Sequence, residues 1–348
     1  MINNSILRRL LAVLALAIAA TAQAQTGVQQ TSLAYARGSV DFYAAGSQCV
    51  LMIDGLIDDS VIKPLNEALQ QVRRQRCTER ILVLNSAGGA PRFAYSIADF
   101  LAKQEFDTEI TGSGICFSAC AYVFLGGRKR MVADGGKFGV HQHSREGVCA
   151  TGFSDVEERR MRTIMEKSLA APAVNRLIGI ILATDCNTMN FIAREDLDAM
   201  TITNAQSSRI SADIREAMAA REAQVFEQFR AAARGAWARA AGDRTLTVYT
   251  REVAETAAGG NPAVWGRIVY SADRAERVSG RIHRTHEMLS EIDCDRQMIS
   301  VIRSVYTRDP QGEGAVVWKT GRMAGVAVRT KTPAEVFYKQ ACGKSLPG

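Results

Sequence analysis

The chain has 348 residues, of which 47% are hydrophobic and 23% are charged, a balance that can fill a folded core and excludes an intrinsically disordered protein. This length predicts two domains. The formal net charge is +7, but Arg8 and Arg9 contribute two of those charges and the other basic residues are scattered, so we expect no nucleic-acid partner.

The first residues have the pattern of a secretory signal peptide. Arg8 and Arg9 precede an apolar run at 10–20, and Ala22-Gln23-Ala24 follows it as a cleavage site. The apolar run is shorter than the roughly 20 residues that span a bilayer, and no later stretch is apolar enough to do so. We therefore expect residues 1–24 to be removed and the mature protein to be periplasmic, without a transmembrane segment.

Cysteines occur in an even number in a chain predicted to be exported, and disulfides persist in that compartment. They are Cys49, Cys77, Cys116, Cys120, Cys149, Cys186, Cys294 and Cys342. Disulfide bonds are therefore expected, although the count alone does not determine their pairing.

Strands and helices alternate in the first half of the sequence. Residues 49–54 and 80–85 are short apolar runs typical of strands, and a helix is predicted between them at 58–74. Strand, helix and strand in this order predict a right-handed crossover between parallel strands. Cys49 and Cys77 then lie at one edge of the sheet, so a disulfide between them is geometrically plausible.

The same alternation continues downstream. A helix is predicted at 92–104 and a strand at 109–111. Residues 154–182 have a helical pattern that includes Pro172, where a break is expected. Residues 206–244 are rich in Ala, Arg and Glu and predict a helical connector.

The stretch from Gly112 to Gln142 is the most informative. A glycine turn precedes Ser118, a small-residue helix ends near Gly127, and a predicted strand delivers His141 directly before a glutamine. This order resembles the Clp protease proteolytic subunit and its crotonase-fold relatives, especially exported Clp-like proteins. The resemblance implies an α/β domain at 45–205, with a mostly parallel sheet and crossover helices. It also implies that Ser118 is a nucleophile and His141 its base.

The resemblance extends to the groups that stabilise an oxyanion. Gly88 and Gly89 match the family's glycine turn after the second strand, and the amide of Ala119 follows the serine. The family's orienting aspartate is replaced here by Met189. Asp185 is the nearest acidic candidate for that third role, with Asn187 and Asn190 as the other neighbours.

Structural interpretations compete with these roles. Ser118 is also the kind of small residue that lets a helix pack closely, and His141 with His143 suggests a metal, although two ligands do not make a site. A catalytic serine and lysine dyad that uses Lys129 or Lys137 is a weaker alternative, because neither lysine stands at a matching position. Three states are open for the flanking cysteines, Cys116 and Cys120: a bridge to each other, bridges to Cys149 and Cys186, or free thiols.

Strand patterns at 246–249, 299–306 and 314–318 predict a second, α+β domain over 245–343. Cys294 and Cys342 stand where a strand cysteine pairs with one near the chain end in the surface-adhesin protein E domain, which this segment resembles. The resemblance implies a disulfide between them. Trp265 and Trp318 are interpreted as core residues.

Together these features predict a periplasmic serine hydrolase of the peptidase type, acting on peptides or unfolded proteins without a cofactor or metal. The alternative is a binding protein of the cell envelope that keeps the fold and has lost efficient catalysis at Met189. The family's rings and trimers make a homo-oligomer possible.

Overall fold

A computed structural model describes residues 27–145, 148–149, 155–251, 256–257, 260–323 and 325–346. The predicted signal peptide lies outside these residues. Within the described ranges, no helix has the length and apolar character needed to cross a membrane.

The first half of the chain is of the predicted α/β class. Its strands are β1 (Gln29–Tyr35), β2 (Gly38–Ala45), β3 (Gln48–Gly55), β4 (Glu79–Asn85), β5 (Asp107–Ile110), β6 (Ile115–Phe117), β7 (Arg130–Val132), β8 (Lys137–Val140), β9 (Ser144–Arg145), β10 (Val148–Cys149) and β11 (Asn190–Phe191). Its helices are α1 (Ile62–Gln75), α2 (Pro91–Lys103), α3 (Ala119–Leu125), α4 (Asp155–Glu166), α5 (Ala171–Ala183) and α6 (Arg194–Ala199).

The main sheet has the strand order β1, β2, β3, β4, β5, β7. Strands β3, β4, β5 and β7 are parallel, and α1 and α2 connect the first three as the sequence predicted. At the edge where β3 and β4 begin, Cys49 is bonded to Cys77, with 5.7 Å between their Cα atoms.

Two antiparallel strands, β1 and β2, extend this sheet before residue 45, the predicted start of the domain. Strand β1 reads QQTSLAY and is largely exposed, so it lacks the apolar run that identifies a buried strand. It forms because it pairs with β2 along its whole length, from Gln29 with Ala44 to Tyr35 with Gly38.

A second, three-stranded sheet lies beyond the carboxyl end of β4. Strand β8 pairs in parallel with β6 and antiparallel with β11. A bridge between Ser86 and Cys116 joins this small sheet to the end of β4. The turn after β4 is therefore held beside the turn after β6.

Both faces of the main sheet are covered. Leu51, Ile53, Leu82 and Leu84 belong to a large apolar core with α1, α2, α3 and α5, and each is fully buried. Burying a side chain of this size contributes about 1.5–3 kcal/mol. The opposite face, including Tyr43, packs against a long helix from later in the chain.

The helical pattern at 154–182 is interrupted as expected, but Pro172 begins a helix instead of bending one. It stands in the first turn of α5, where the proline nitrogen would have no intrahelical partner. Helix α4 ends at Glu166, five residues before α5 begins at Ala171.

The later part of the chain consists of a long helix, an antiparallel sheet and a final helix. In chain order these are α7 (Ala212–Ala233), β12 (Ala238–Gly242), β13 (Leu246–Arg251), β14 (Ala263–Ala275), β15 (Ile282–Asp293), β16 (Met298–Thr307), β17 (Val316–Thr320), β18 (Val326–Ala327) and α8 (Pro333–Cys342). Strands β12 to β17 pair in sequence order, and β18 pairs with β16. Helix α7 accounts for most of the predicted helical connector, but residues 238–242 form a strand because they pair with β13.

Helix α8 covers one face of the antiparallel sheet. Its Phe337 and Tyr338 are 1% exposed and pack against Val248, Val264 and Ile268. Close contact is possible because residue 266 is glycine: a Cβ there would lie 2.4 Å from the Phe337 ring. The end of this helix is bonded to the sheet through Cys294 and Cys342, the pair that the resemblance implied.

Candidate active site

Ser118 occupies a tight turn between β6 and α3. Its backbone has φ 54° and ψ −122°, a region that side-chain-bearing residues rarely adopt. The Ser118 amide donates to the Gly139 carbonyl at 2.9 Å, which ties the turn to β8. Cys116 and Cys120, which flank the serine, are bonded to each other. Of the three states left open for them, the bridge to each other is the one observed.

Gly88 packs directly on this turn. Its φ is 100°, and a Cβ added there would lie 2.6 Å from the Phe117 carbonyl oxygen and 2.8 Å from the Ser118 Cβ. The same position is 3.1 Å from the Ala119 nitrogen. Only glycine therefore fits between the turn after β4 and the serine.

The backbone amides around Ser118 differ in availability. Gly88 already donates its N–H to the Ser86 hydroxyl at 3.1 Å. Among the described residues, the amides of Gly89 and Ala119 donate to no backbone carbonyl. Of the amides named as oxyanion donors, Gly89 and Ala119 are thus the two with a free N–H.

His141 follows immediately after β8. Strands β6 and β8 are parallel with Phe117 opposite Gly139, so Ser118 and His141 both follow the carboxyl ends of neighbouring strands. Its Nδ1 atom is buried and has no hydrogen-bond partner in the described part of the chain. Burial lowers the pKa of His141 below its ordinary value, while the Cys186 backbone and Asp185 oppose this shift.

The described residues contain no hydrogen bond between Ser118 and His141, although each directly follows one of two neighbouring parallel strands. Catalytic hydrogen bonds are often long in a free enzyme and tighten when substrate binds.

The position at which the family has its orienting aspartate is apolar in this chain. Met189 packs on the backbone of Gly139, where an added Cβ would lie 2.8 Å from the Met189 Cγ. Asp185 is exposed, and its carboxylate accepts the Asn187 amide at 2.7 Å instead of a hydrogen bond from His141. Asp185 therefore acts on His141 only through its charge.

A disulfide between Cys149 and Cys186 anchors the loop that carries Asp185 and Met189. The two sulfurs and the Asp185 carboxylate lie close enough together to resemble a metal site. Bonded sulfurs are not thiolates, however, so this group lacks the ligands that zinc requires.

His143 contacts the helix that follows Ser118. Its Nε2 lies 3.0 Å from the Tyr122 hydroxyl on α3, and the two rings meet edge to face. Strand β8 ends at Val140, so the alternation that would put His141 and His143 on one face does not continue this far. The two histidines consequently belong to different surroundings.

Neither lysine of the alternative dyad is near the serine along the sheet. Lys137 pairs with Ile115 at the start of β6, the end opposite Ser118. Lys129 lies just before β7 in the main sheet.

An apolar cluster beside the site was not predicted from the sequence. Phe117 and Met189 join Leu56 there, and Val278 and Met323, from connections between strands of the later sheet, pack against them. Nothing local in the sequence connects residues so far apart in the chain. The cluster makes the antiparallel sheet part of the surroundings of Ser118.

No protein-family model and no curated protein sequence matches the chain. Among solved structures, methylmalonyl-CoA decarboxylase complexed with 2S-carboxypropyl-CoA is similar at 13% identity, covering 52% of this chain and 74% of that one, with a TM-score of 0.37. A mutant of a membrane-bound stomatin-specific protease is similar at 14% identity, covering 44% of this chain and 75% of that one, with a TM-score of 0.35. These similarities concern about half of the chain and assign no role to its residues.

Proposed function

We propose that the chain is a periplasmic serine hydrolase of the peptidase type, with Ser118 as nucleophile and His141 as general base. The observation that carries the proposal is the backbone of Ser118, which holds φ 54° on a turn from a strand to a helix. Such a turn projects a serine hydroxyl away from its own strand, and strain of this kind concentrates at functional sites.

In this mechanism the Ser118 Oγ attacks a peptide carbonyl carbon while His141 takes the hydroxyl proton. Burial lowers the pKa of His141, so the ring is neutral at pH 7 and able to accept that proton. The amides of Gly89 and Ala119 donate to the oxyanion that forms on the carbonyl oxygen. His141 then returns the proton to the leaving amine, and water releases the acyl group from Ser118 by the same steps.

One observation favours the alternative, a binding protein of the cell envelope with little or no catalysis. Met189 places a thioether in the apolar cluster, and no described carboxylate hydrogen-bonds to His141. A catalytic histidine without an orienting carboxylate loses orders of magnitude in rate, but the oxyanion donors still contribute. The two proposals differ in whether Ser118 reacts.

A fluorophosphonate probe separates them, because it reacts with an activated serine and requires no knowledge of the substrate. We expect the mature protein to be labelled at Ser118 and the Ser118→Ala variant to remain unlabelled. His141→Ala should abolish labelling, while His143→Ala should retain it, since His143 is held by Tyr122. Thermal unfolding of each variant shows whether its fold is intact.

Equal labelling of the mature protein and Ser118→Ala would overturn the hydrolase proposal. If labelling survived His141→Ala but disappeared in a folded His143→Ala variant, the base would be His143 and the assignment to His141 would be wrong.

A further inference from the structure

A cavity of about 610 Å³ lies between the main sheet and α7. Residues from β2, β3, α7 and β16 line it, and Ser118 and His141 do not. Its apolar lining includes Met52 from β3 and Met218, Val225 and Phe226 from α7. Its volume is in the range of sites that hold small organic molecules.

Carboxylates outnumber guanidinium groups on the cavity wall. The carboxylates belong to Asp41, Asp54, Glu109 and Glu222, and the guanidinium groups to Arg215, Arg221 and Arg303. Three of the carboxylates have a direct partner: Asn85 at 2.8 Å for Asp54, Ser208 at 2.9 Å for Glu109 and Lys319 at 3.0 Å for Glu222. The fourth, Asp41, lies near the hydroxyls of Ser32 and Ser39 and the guanidinium of Arg221, but its Oδ1 accepts no hydrogen bond from the described residues.

Asp41 is 5% exposed, and within the described chain its Oδ1 has no hydrogen-bond partner. Burial raises its pKa, and the hydroxyls of Ser32 and Ser39 with the guanidinium groups of Arg221 and Arg303 offset this only in part. An uncompensated buried carboxylate is costly unless a partner satisfies it. The fold therefore holds an acceptor that a ligand can use.

Arg221 is the neighbour that could compete for this carboxylate. Its two terminal nitrogens instead reach Gln224 at 3.5 Å and the Ser32 hydroxyl at 3.4 Å, its Nε has no hydrogen-bond partner, and it forms no ion pair among the described residues. Arg303 is directed to Asp54, at 3.9 Å, and its guanidinium lies over the Phe226 ring. Neither arginine satisfies the buried Oδ1 of Asp41.

We infer that this cavity binds a small amine, with its ammonium group on Asp41 and its apolar body against Met52, Met218 and Phe226. The inference is independent of the function proposed for Ser118, because no residue of that site lines the cavity.

Three probes of matched shape test the inference: benzylamine, benzyl alcohol and benzoate carry the same ring with a positive, neutral or negative group. Ligand-observed NMR titration of the mature protein should show benzylamine binding at least about tenfold more tightly than the other two. Asp41→Asn should weaken benzylamine by about tenfold or more, since the charge-assisted hydrogen bond is lost. Arg221→Gln should retain or strengthen it, and Ser118→Ala should leave it unchanged.

Stronger binding of benzoate, unchanged affinity in Asp41→Asn, loss of affinity in Arg221→Gln, or no benzylamine binding to the mature protein would each overturn the inference. Asp41→Asn should fold with an equal or higher Tm, because the amide removes a buried carboxylate whose burial is offset only in part by its neighbours. If it does not fold, the three probes with unmodified protein and Arg221→Gln still decide the matter.

Discussion

Ser118 and Gly88 are neighbours that both have positive φ, but for different reasons. Gly88 must be glycine, because an added Cβ would collide with the Phe117 carbonyl and the serine itself. Ser118 has a side chain in a conformation that costs about 1–3 kcal/mol. A glycine at 118 would avoid this cost, so the serine is present at a cost in stability, which its proposed role as nucleophile explains.

His141 supplies a prediction about pH. Because burial lowers its pKa below 6.5, the rate of fluorophosphonate labelling should be constant around neutral pH and fall with a midpoint below 6.5. Labelling reactions quenched at successive times, at a series of pH values, measure this profile. The His143→Ala variant is the control and should give the same profile.

The same shift affects stability. A histidine that is neutral in the folded state stabilises it above about pH 6.5, and this contribution is lost as the pH falls. The pH profile of the labelling rate is therefore interpreted only at pH values where the circular dichroism spectrum shows that the protein stays folded. A midpoint above 6.5 in that range would contradict a buried His141 as the base.

At the scale of elements, the packing of the turn after β4 against the turn after β6 can be tested by two glycine substitutions. Gly88→Ala forces a Cβ to 2.6 Å from the Phe117 carbonyl at a φ of 100°, so we expect a loss of about 1–3 kcal/mol of stability. Because the Ser118 turn must move, labelling should be lost as well. Thermal unfolding and labelling measure the two effects.

Gly179 in α5 is the matched control. A Cβ there meets no atom within 4 Å and the residue is exposed, so Gly179→Ala should stabilise the helix by about 0.5–1 kcal/mol and leave labelling unchanged. Normal labelling of Gly88→Ala would show that the two turns are not coupled.

The elements that could be predicted from sequence are those whose burial is uniform. Strands β3 and β4 are nearly continuous apolar runs because helices cover both faces of the sheet, and α1 has a clear apolar stripe. Strand β15 shows the opposite case. Its buried positions include His283, Glu287 and Glu291, so its pattern has no simple period. Pairing with β14 and β16, not local propensity, determines this strand.

The candidate site divides in the same way. The order of Ser118 and His141 predicts their neighbourhood, because parallel strands bring consecutive carboxyl ends to one edge. The involvement of Val278 and Met323 could not be predicted, because it depends on how the later sheet packs against the first.

For the whole molecule, α7 is the element that joins the two sheets. Its first half packs Ile214 and Met218 against the main sheet, and its second half packs Phe226 and Phe229 against Trp265 of the antiparallel sheet. The later sheet also contributes Arg303 to the cavity. It is therefore a structural part of both sites.

The disulfide between Cys294 and Cys342 should stabilise this later sheet without affecting the first. It closes a loop with a sequence separation of 48 and holds α8 on the sheet, where Tyr338 donates to the Cys294 carbonyl at 3.1 Å. Such a loop contributes about 4 kcal/mol in the chain-entropy description. Replacing both cysteines by alanine should lower the unfolding temperature of this part of the chain.

Tryptophan fluorescence can follow that part selectively, because all three tryptophans, Trp237, Trp265 and Trp318, come after α7. The Cys294→Ala, Cys342→Ala variant should therefore shift the fluorescence transition more than the circular dichroism transition. A matched variant with Cys49→Ala and Cys77→Ala opens a loop with a sequence separation of 28. It should shift the circular dichroism transition more than the fluorescence transition. If removing either disulfide moves both transitions together, the two sheets unfold as one cooperative unit, and α7 couples them more strongly than either disulfide holds its own part.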